Sequence, residues 1–261
     1  THLWSATFDR TLGDIFAVQY QIAAAVVEAL KVELLSSTTP DHEIAPEVFA
    51  RYLQAMYLGN QGKAEAYEQA IDLLEQVVEA APDYAKAWRG LATNYINQVG
   101  SGLRGVDEGY ALAREAAAHA LELDPKNALA LMSLGVTYSE MGDFDQALRM
   151  TSQIANHAVW GFTHAAVLAE AGQTEEARQI LESIDKVPRN VIALVLIYSA
   201  LDDVDEAFRW MEVARDAKLP WYPWFIIGFQ FMDEVRADPR MQSYAAELGL
   251  EDALERALEL P

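Results

Sequence analysis

One alanine recurs at five places along this chain: Ala70, Ala113, Ala147, Ala177 and Ala207, at separations of 43, 34, 30 and 30 residues. Each stands near the start of a segment whose apolar residues repeat with a helical period. Each such segment follows another of the same kind across a turn: Gly62, the 100–105 stretch, Gly142-Asp143, Gly172 and Asp202-Asp203. A small residue at that point lets two helices cross at about 8–10 Å. One helix pair cannot bury its own apolar face, so the copies must stack on their neighbours. Stacked pairs form a curved surface suited to binding and rarely assemble a reaction centre.

The spacing predicts five pairs: 47–59 with 64–80, 83–97 with 107–123, 126–141 with 143–155, 159–171 with 174–184, and 189–201 with 204–217. Beyond Leu219 the period breaks at Pro220 and Pro223, and a helix is expected over 225–235. Asp238-Pro239 then reads as a helix start, an acid at the N-cap with proline in the first turn. Gly249 should end that helix, with a last one over 251–260. An array must cover its terminal apolar face, so 220–261 is read as a cap. Ahead of the pairs, Trp4, Ala6 and Phe8 alternate with Ser5 and Thr7, a strand pattern. Ile15, Val18, Ile22, Val26, Leu30 and Leu34 mark a helix after the N-cap Asp14. Thr38, Thr39, Pro40 and Pro46 place a linker at 36–46. The expected fold is all-α: an α-α superhelix of about five pairs over 47–219 with a C-terminal helical cap, behind a short strand and helix in 1–35.

The second and third pairs resemble the tetratricopeptide repeat family. Trp88, Leu91, Ala92, Tyr95, Ala113, Ala120 and Pro125 carry the likeness in one copy, and Leu134, Gly135, Tyr138, Phe144 and Ala147 in the next. The other pairs match more thinly, at Ala70, Leu74 and Pro82, at Gly172, Ala177 and Leu181, and at Tyr198, Ala207 and Ala214. The 34-residue separation equals the period of that family. The opening LWSATFDRTLGDIFAVQYQIA is similar to the end of a TolB-type domain, and DEVRADPRMQSYAAELGL to the usual close of such arrays. The layout resembles that of bacterial class III adenylate cyclases and winged-helix transcriptional regulators. The resemblance therefore implies a piece of a longer signalling protein whose effector domain lies towards the amino terminus. A cyclase-type parent implies the cytoplasm, and a regulator-type parent would allow the periplasm.

Forty acidic residues against 19 basic give a formal net charge of −21. A field of that sign repels phosphate backbones and anionic lipid, so neither nucleic acid nor a membrane surface is an expected partner. The longest apolar run, 191–198, is too short to span a bilayer, and no leader sequence is recognisable. Zero cysteines exclude disulfides, thiolate metal sites and a thiol nucleophile.

No motif carries an enzymatic reading. Gly100-Ser101-Gly102-Leu103-Arg104-Gly105 fits G-x-G-x-x-G, but a dinucleotide loop needs a strand before it, and here a helix precedes. It reads as a turn. His157 and His164 lack the carboxylate spacing of a metal-binding helix. Glu175-Glu176 and Asp202-Asp203 stand at helix starts and turns, where acids favour the helix dipole, and Asp233-Glu234 reads as a solvated face. No metal, cofactor or catalytic residue is expected. Trp221, Tyr222, Trp224, Phe225, Phe229 and Phe231 read as cap packing, with a docking site as the alternative.

The resemblance places a peptide groove on the concave face, lined by first-helix residues turned away from the second helix. Carried over, these are Lys86, Arg89, Thr93 and Asn97, then Met132, Val136 and Glu140, then Phe162. Thr93 and Ser133 stand where the family's carboxylate clamp needs asparagines, so capture of a C-terminal carboxylate is not expected. The apolar remainder suits an apolar helix or extended segment, unless the groove is filled by the protein itself. The expected function is a non-catalytic interaction module that regulates an attached domain by binding a protein or peptide. The alternative is an oligomerisation element, a homodimer held through the helix in 1–35.

Overall fold

The structure, a computed structural model, describes residues 44–61, 64–219 and 232–259. All belong to the compact unit that runs from Ile44 to Pro261. The strand, helix and most of the linker expected before Ile44, and the aromatic cluster at 221–231, lie outside the described residues.

Thirteen α-helices and no strand are found among the described residues. They are α1 (Pro46–Gly59), α2 (Ala64–Ala80), α3 (Ala85–Gly100), α4 (Val106–Leu123), α5 (Ala128–Glu140), α6 (Phe144–Ser152), α7 (Phe162–Glu170), α8 (Thr174–Ser183), α9 (Val191–Ala200), α10 (Val204–Asp216), α11 (Asp233–Ala237), α12 (Pro239–Leu248) and α13 (Glu251–Leu258). The first ten pack as five successive pairs, each against the next. The fold is an all-α superhelix of helix pairs.

The recurring alanine is the hinge of each pair. Ala70, Ala113, Ala147, Ala177 and Ala207 are all fully buried. In the third pair the opposing residue is Gly135, where a Cβ would come within 2.3 Å of Thr151 Cγ2. The Thr151 methyl of α6 thus packs directly on the α5 backbone at Gly135.

The turns within the last three pairs share one geometry. Gly142, Gly172 and Asp202 adopt positive φ, at 75°, 77° and 57°. The following amide donates back to the carbonyl five residues earlier: Asp143 to Tyr138 (2.9 Å), Gln173 to Leu168 (2.8 Å) and Asp203 to Tyr198 (2.9 Å). This bond satisfies a helix-end carbonyl that would otherwise be orphaned. Asp143 and Asp203 then cap the next helix, accepting from Gln146 N and Glu206 N.

Two helix starts differ from expectation. Instead of running from 143 to 155 and from 159 onward, α6 stops at Ser152 and α7 begins at Phe162. In the turn between them, His157 Nδ1 accepts from the amides of Val159 and Trp160. In the fifth pair a 3₁₀ turn at Pro188–Asn190 precedes α9, so the helix starts at Val191 and not Arg189.

The described C-terminal helices pack against the fifth pair. Met232, Val235, Met241, Tyr244, Ala245 and Leu254 share one core with Leu194, Ile197, Trp210 and Met211 of the fifth pair. Asp238 caps α12 by accepting from Arg240 N, and Gly249 closes that helix at φ 65°. The cap also reaches back along the array: Arg256 on α13 donates to the carbonyl of Ser101, in the turn between α3 and α4.

Candidate functional site

The first helices of all five pairs contribute to one cleft of about 240 Å³. Met56, Gly59 and Asn60 end α1 at the cleft, and Gly90, Thr93, Asn94, Ile96 and Asn97 form the α3 wall. Leu129, Met132 and Val136 face it from α5 at intervals of three and four, one stripe of an α-helix. Phe162, Thr163 and Ala166 of α7 and Ile192 and Leu196 of α9 complete the lining, with Trp160 from the preceding turn. Trp160 and Phe162 tilt against each other at 6.2 Å between ring centres.

Five of the eight residues expected to line the groove are here: Thr93, Asn97, Met132, Val136 and Phe162. Lys86, Arg89 and Glu140 are not among the lining residues. Lys86 is half-buried near the start of α3. Arg89 donates from Nη2 to the Tyr52 hydroxyl at 3.1 Å, tying α3 to α1. Glu140 is 8% exposed and accepts from the Tyr110 hydroxyl at 3.0 Å. Glu140, one turn beyond Val136, faces Arg236 of α11 instead of the cleft.

Leu129, Trp160, Ala166, Ile192 and Leu196 were missed by the sequence reading. Leu129 and Ala166 could have been found by extending the stripes of Met132 and Phe162 one turn. The turn that carries Trp160 has no periodicity to extend.

Chemically the cleft is neutral. No Asp, Glu, Lys, Arg or His lines it. Its polar groups are amides and hydroxyls, partly committed to the helices: Thr93 Oγ1 donates to Arg89 O, and Asn94 Nδ2 to Gly90 O at 2.8 Å. Asn94 Oδ1 and Thr163 Oγ1 are buried with no partner. Gly59 admits the Asn94 amide, since a Cβ there would lie 2.6 Å from Oδ1.

The ionisable groups gather elsewhere, where the cap covers the ends of the first helices. Arg236, 4% exposed, pairs with Asp233 and faces Glu140. Burial and the Glu140 carboxylate push the Tyr110 phenol far up. Burial, with Asp202 and Asp233 nearby, raises Glu170 to about 7. A second, open recess holds Asp202, Asp203, Asp205, Glu234 and Asp238, together with Arg240. Arg240 spans it, reaching Asp205 at 2.9 Å and Asp238 at 2.8 Å, so the acids there are partly neutralised. Hydrogen bonds to Arg240 hold Asp238 down at about 2.

The remaining motifs have structural roles. Gly100 ends α3 and Gly105 caps α4, so the glycine-rich stretch is the turn within the second pair. His164 Nδ1 lies 3.0 Å from Thr151 Oγ1, and burial lowers its pKa. Among the described residues no group of His, Cys, Asp or Glu could hold a metal ion, and no helix is long and apolar enough to cross a membrane.

The fold and cleft define a class: a superhelix of helix pairs that offers one apolar concavity. Comparison with known proteins is more particular. Residues 116–149, from within α4 through α5 into α6, match the family described as Tetratricopeptide repeat. The chain is also similar to a protein of Rhizobium meliloti (strain 1021) named "Putative adenylate cyclase 3", with 32% identity over 105 residues. That match covers 37% of this chain and 18% of the relative, so the chain spans a small part of the relative's length. These matches support a tetratricopeptide repeat protein, and repeats of that kind generally mediate protein–protein interaction.

Proposed function

We propose that the array is a non-catalytic interaction module of a larger signalling protein. It binds a segment of a protein partner on the face built by the first helices and thereby regulates an effector domain. The observation that carries this reading is the convergence of all five first helices on one uncharged, apolar cleft. Thr93, Asn97, Met132, Val136 and Phe162 lie at the centre of the proposed surface. Lys86, Arg89 and Glu140 act structurally in it.

The name of the bacterial relative supports a cyclase-type parent, and hence a cytoplasmic setting, over a winged-helix regulator. The opening residues, similar to the end of a TolB-type domain, fit the same arrangement. A partner that favours one curvature of the superhelix would shift its population and pass the change to the attached domain.

The test is photocross-linking from position 132 in cells that express the full-length parent. A discrete protein should be trapped, and Phe162→Ala should abolish the product while the fold persists by circular dichroism. Cross-links only between copies of the chain, lost when residues 1–35 are deleted, would replace this reading with self-association.

A further inference from the structure

We infer that the cleft is a binding site for a small, uncharged, mostly apolar molecule whose amide or hydroxyl group pairs with Asn97. This goes beyond the partner reading and needs no second protein.

Size is the first argument. An apolar-lined cavity of ~150 Å³ takes a benzene molecule, and the cleft offers about 240 Å³. One turn of an α-helix, ~10 Å across and ~5.4 Å long, displaces roughly 400 Å³. The cleft encloses a single ring with a short chain, less than the volume of one helical turn.

Charge is the second. None of the seventeen lining residues carries a charge, in a chain of net charge −21. An ion entering such a place would lose its water and find no counter-charge.

The polar groups are the third. Asn97 lines the cleft, is 3% exposed, and its carboxamide makes no hydrogen bond among the described residues. Asn94 and Thr163, which line the same cleft, carry buried oxygens without a partner. Buried polar atoms are normally paired, and an exception calls for an absent partner. A ligand that both donates and accepts, as a primary amide does, satisfies the Asn97 carboxamide at both of its atoms.

The experiment uses the whole 261-residue chain and four matched probes at pH 7.5: benzamide, toluene, benzoate and benzylamine, which is protonated there. Saturation-transfer NMR and calorimetric titration should show saturable binding of benzamide, at least about ten-fold tighter than either charged probe. Bound benzamide should shift the Met132 methyl and Trp160 indole resonances in the native chain. Asn97→Leu should weaken benzamide about ten-fold and leave toluene within about two-fold, and Met132→Trp should block both. The inference is overturned if benzamide does not saturate, which would leave the cleft to water alone. Equal binding of benzoate, or resonance shifts confined to residues away from the cleft, would overturn it as well. Those shifts are read in the native chain, so they decide the matter even if a variant fails to fold.

Discussion

Arg256, in the last helix, donates from Nε to the backbone carbonyl of Ser101 at 3.2 Å, joining positions 155 residues apart. The residue after Ser101 is Gly102, at φ 64°, where a Cβ would lie 2.8 Å from both Arg256 Cβ and its carbonyl oxygen. The cap is therefore seated on a turn that only glycine fits. Gly102→Ala should destabilise the chain by about 1–3 kcal/mol, through the positive φ and the clash together. Arg256→Ala, which removes only the hydrogen bond, should cost about 0.5–1.5 kcal/mol. Urea unfolding measures both, and equal losses would show that α13 does not rest on this turn.

Arg236 is the cation of a buried cluster. Its guanidinium pairs with Asp233 and faces Glu140, which also accepts from Tyr110. Arg236→Met leaves Glu140 buried without its cation and should cost about 3–5 kcal/mol. Adding Glu140→Gln should recover part of that loss. A double-mutant cycle checks it, and additive effects would mean that the two side chains do not interact.

Glu170 makes stability depend on pH in an unusual direction. Burial first, then Asp202 and Asp233, raise it from an ordinary 4.5 to about 7. Between those values the folded chain keeps a proton that the unfolded chain releases, so stability falls as pH rises through this window. The penalty is complete above about 7 and absent below 4.5. Glu170→Gln should remove it. Allowing for solvent screening, the gain at pH 8 is roughly 1 kcal/mol, or about 2–4 °C in melting temperature. No gain should appear at pH 4. A gain of the same size at both pH values would assign the effect to packing.

Ala147, fully buried where α6 crosses α5, has no space for a larger side chain. Ala147→Leu should destabilise by about 1–3 kcal/mol through overpacking. An unchanged thermal midpoint would show that the helix crossing is elsewhere.

The pairs were legible because their signal is local. Gly142 and Gly172 marked turns that demand a left-handed residue, and a small residue recurred at every crossing. Asp202 fills the same conformation without glycine, so that turn was read from its acids. The α6–α7 junction was not legible, because the turns over 153–161, where His157 Nδ1 holds the Val159 and Trp160 amides, carry no helical period. Five cleft residues were legible from lining positions carried over from the family resemblance. Glu140 continued the stripe of Val136, yet nothing local announced that Tyr110 and Arg236 would meet it.

The amino-acid sequence by itself determined that this protein is a stack of helix pairs, since period, turn chemistry and small crossing residues act over a few turns of chain. Tertiary structure alone decided where the C-terminal helices sit and which first-helix side chains share a cleft. Those outcomes depend on packing between residues as distant as Ser101 and Arg256, and such packing leaves no pattern within either segment.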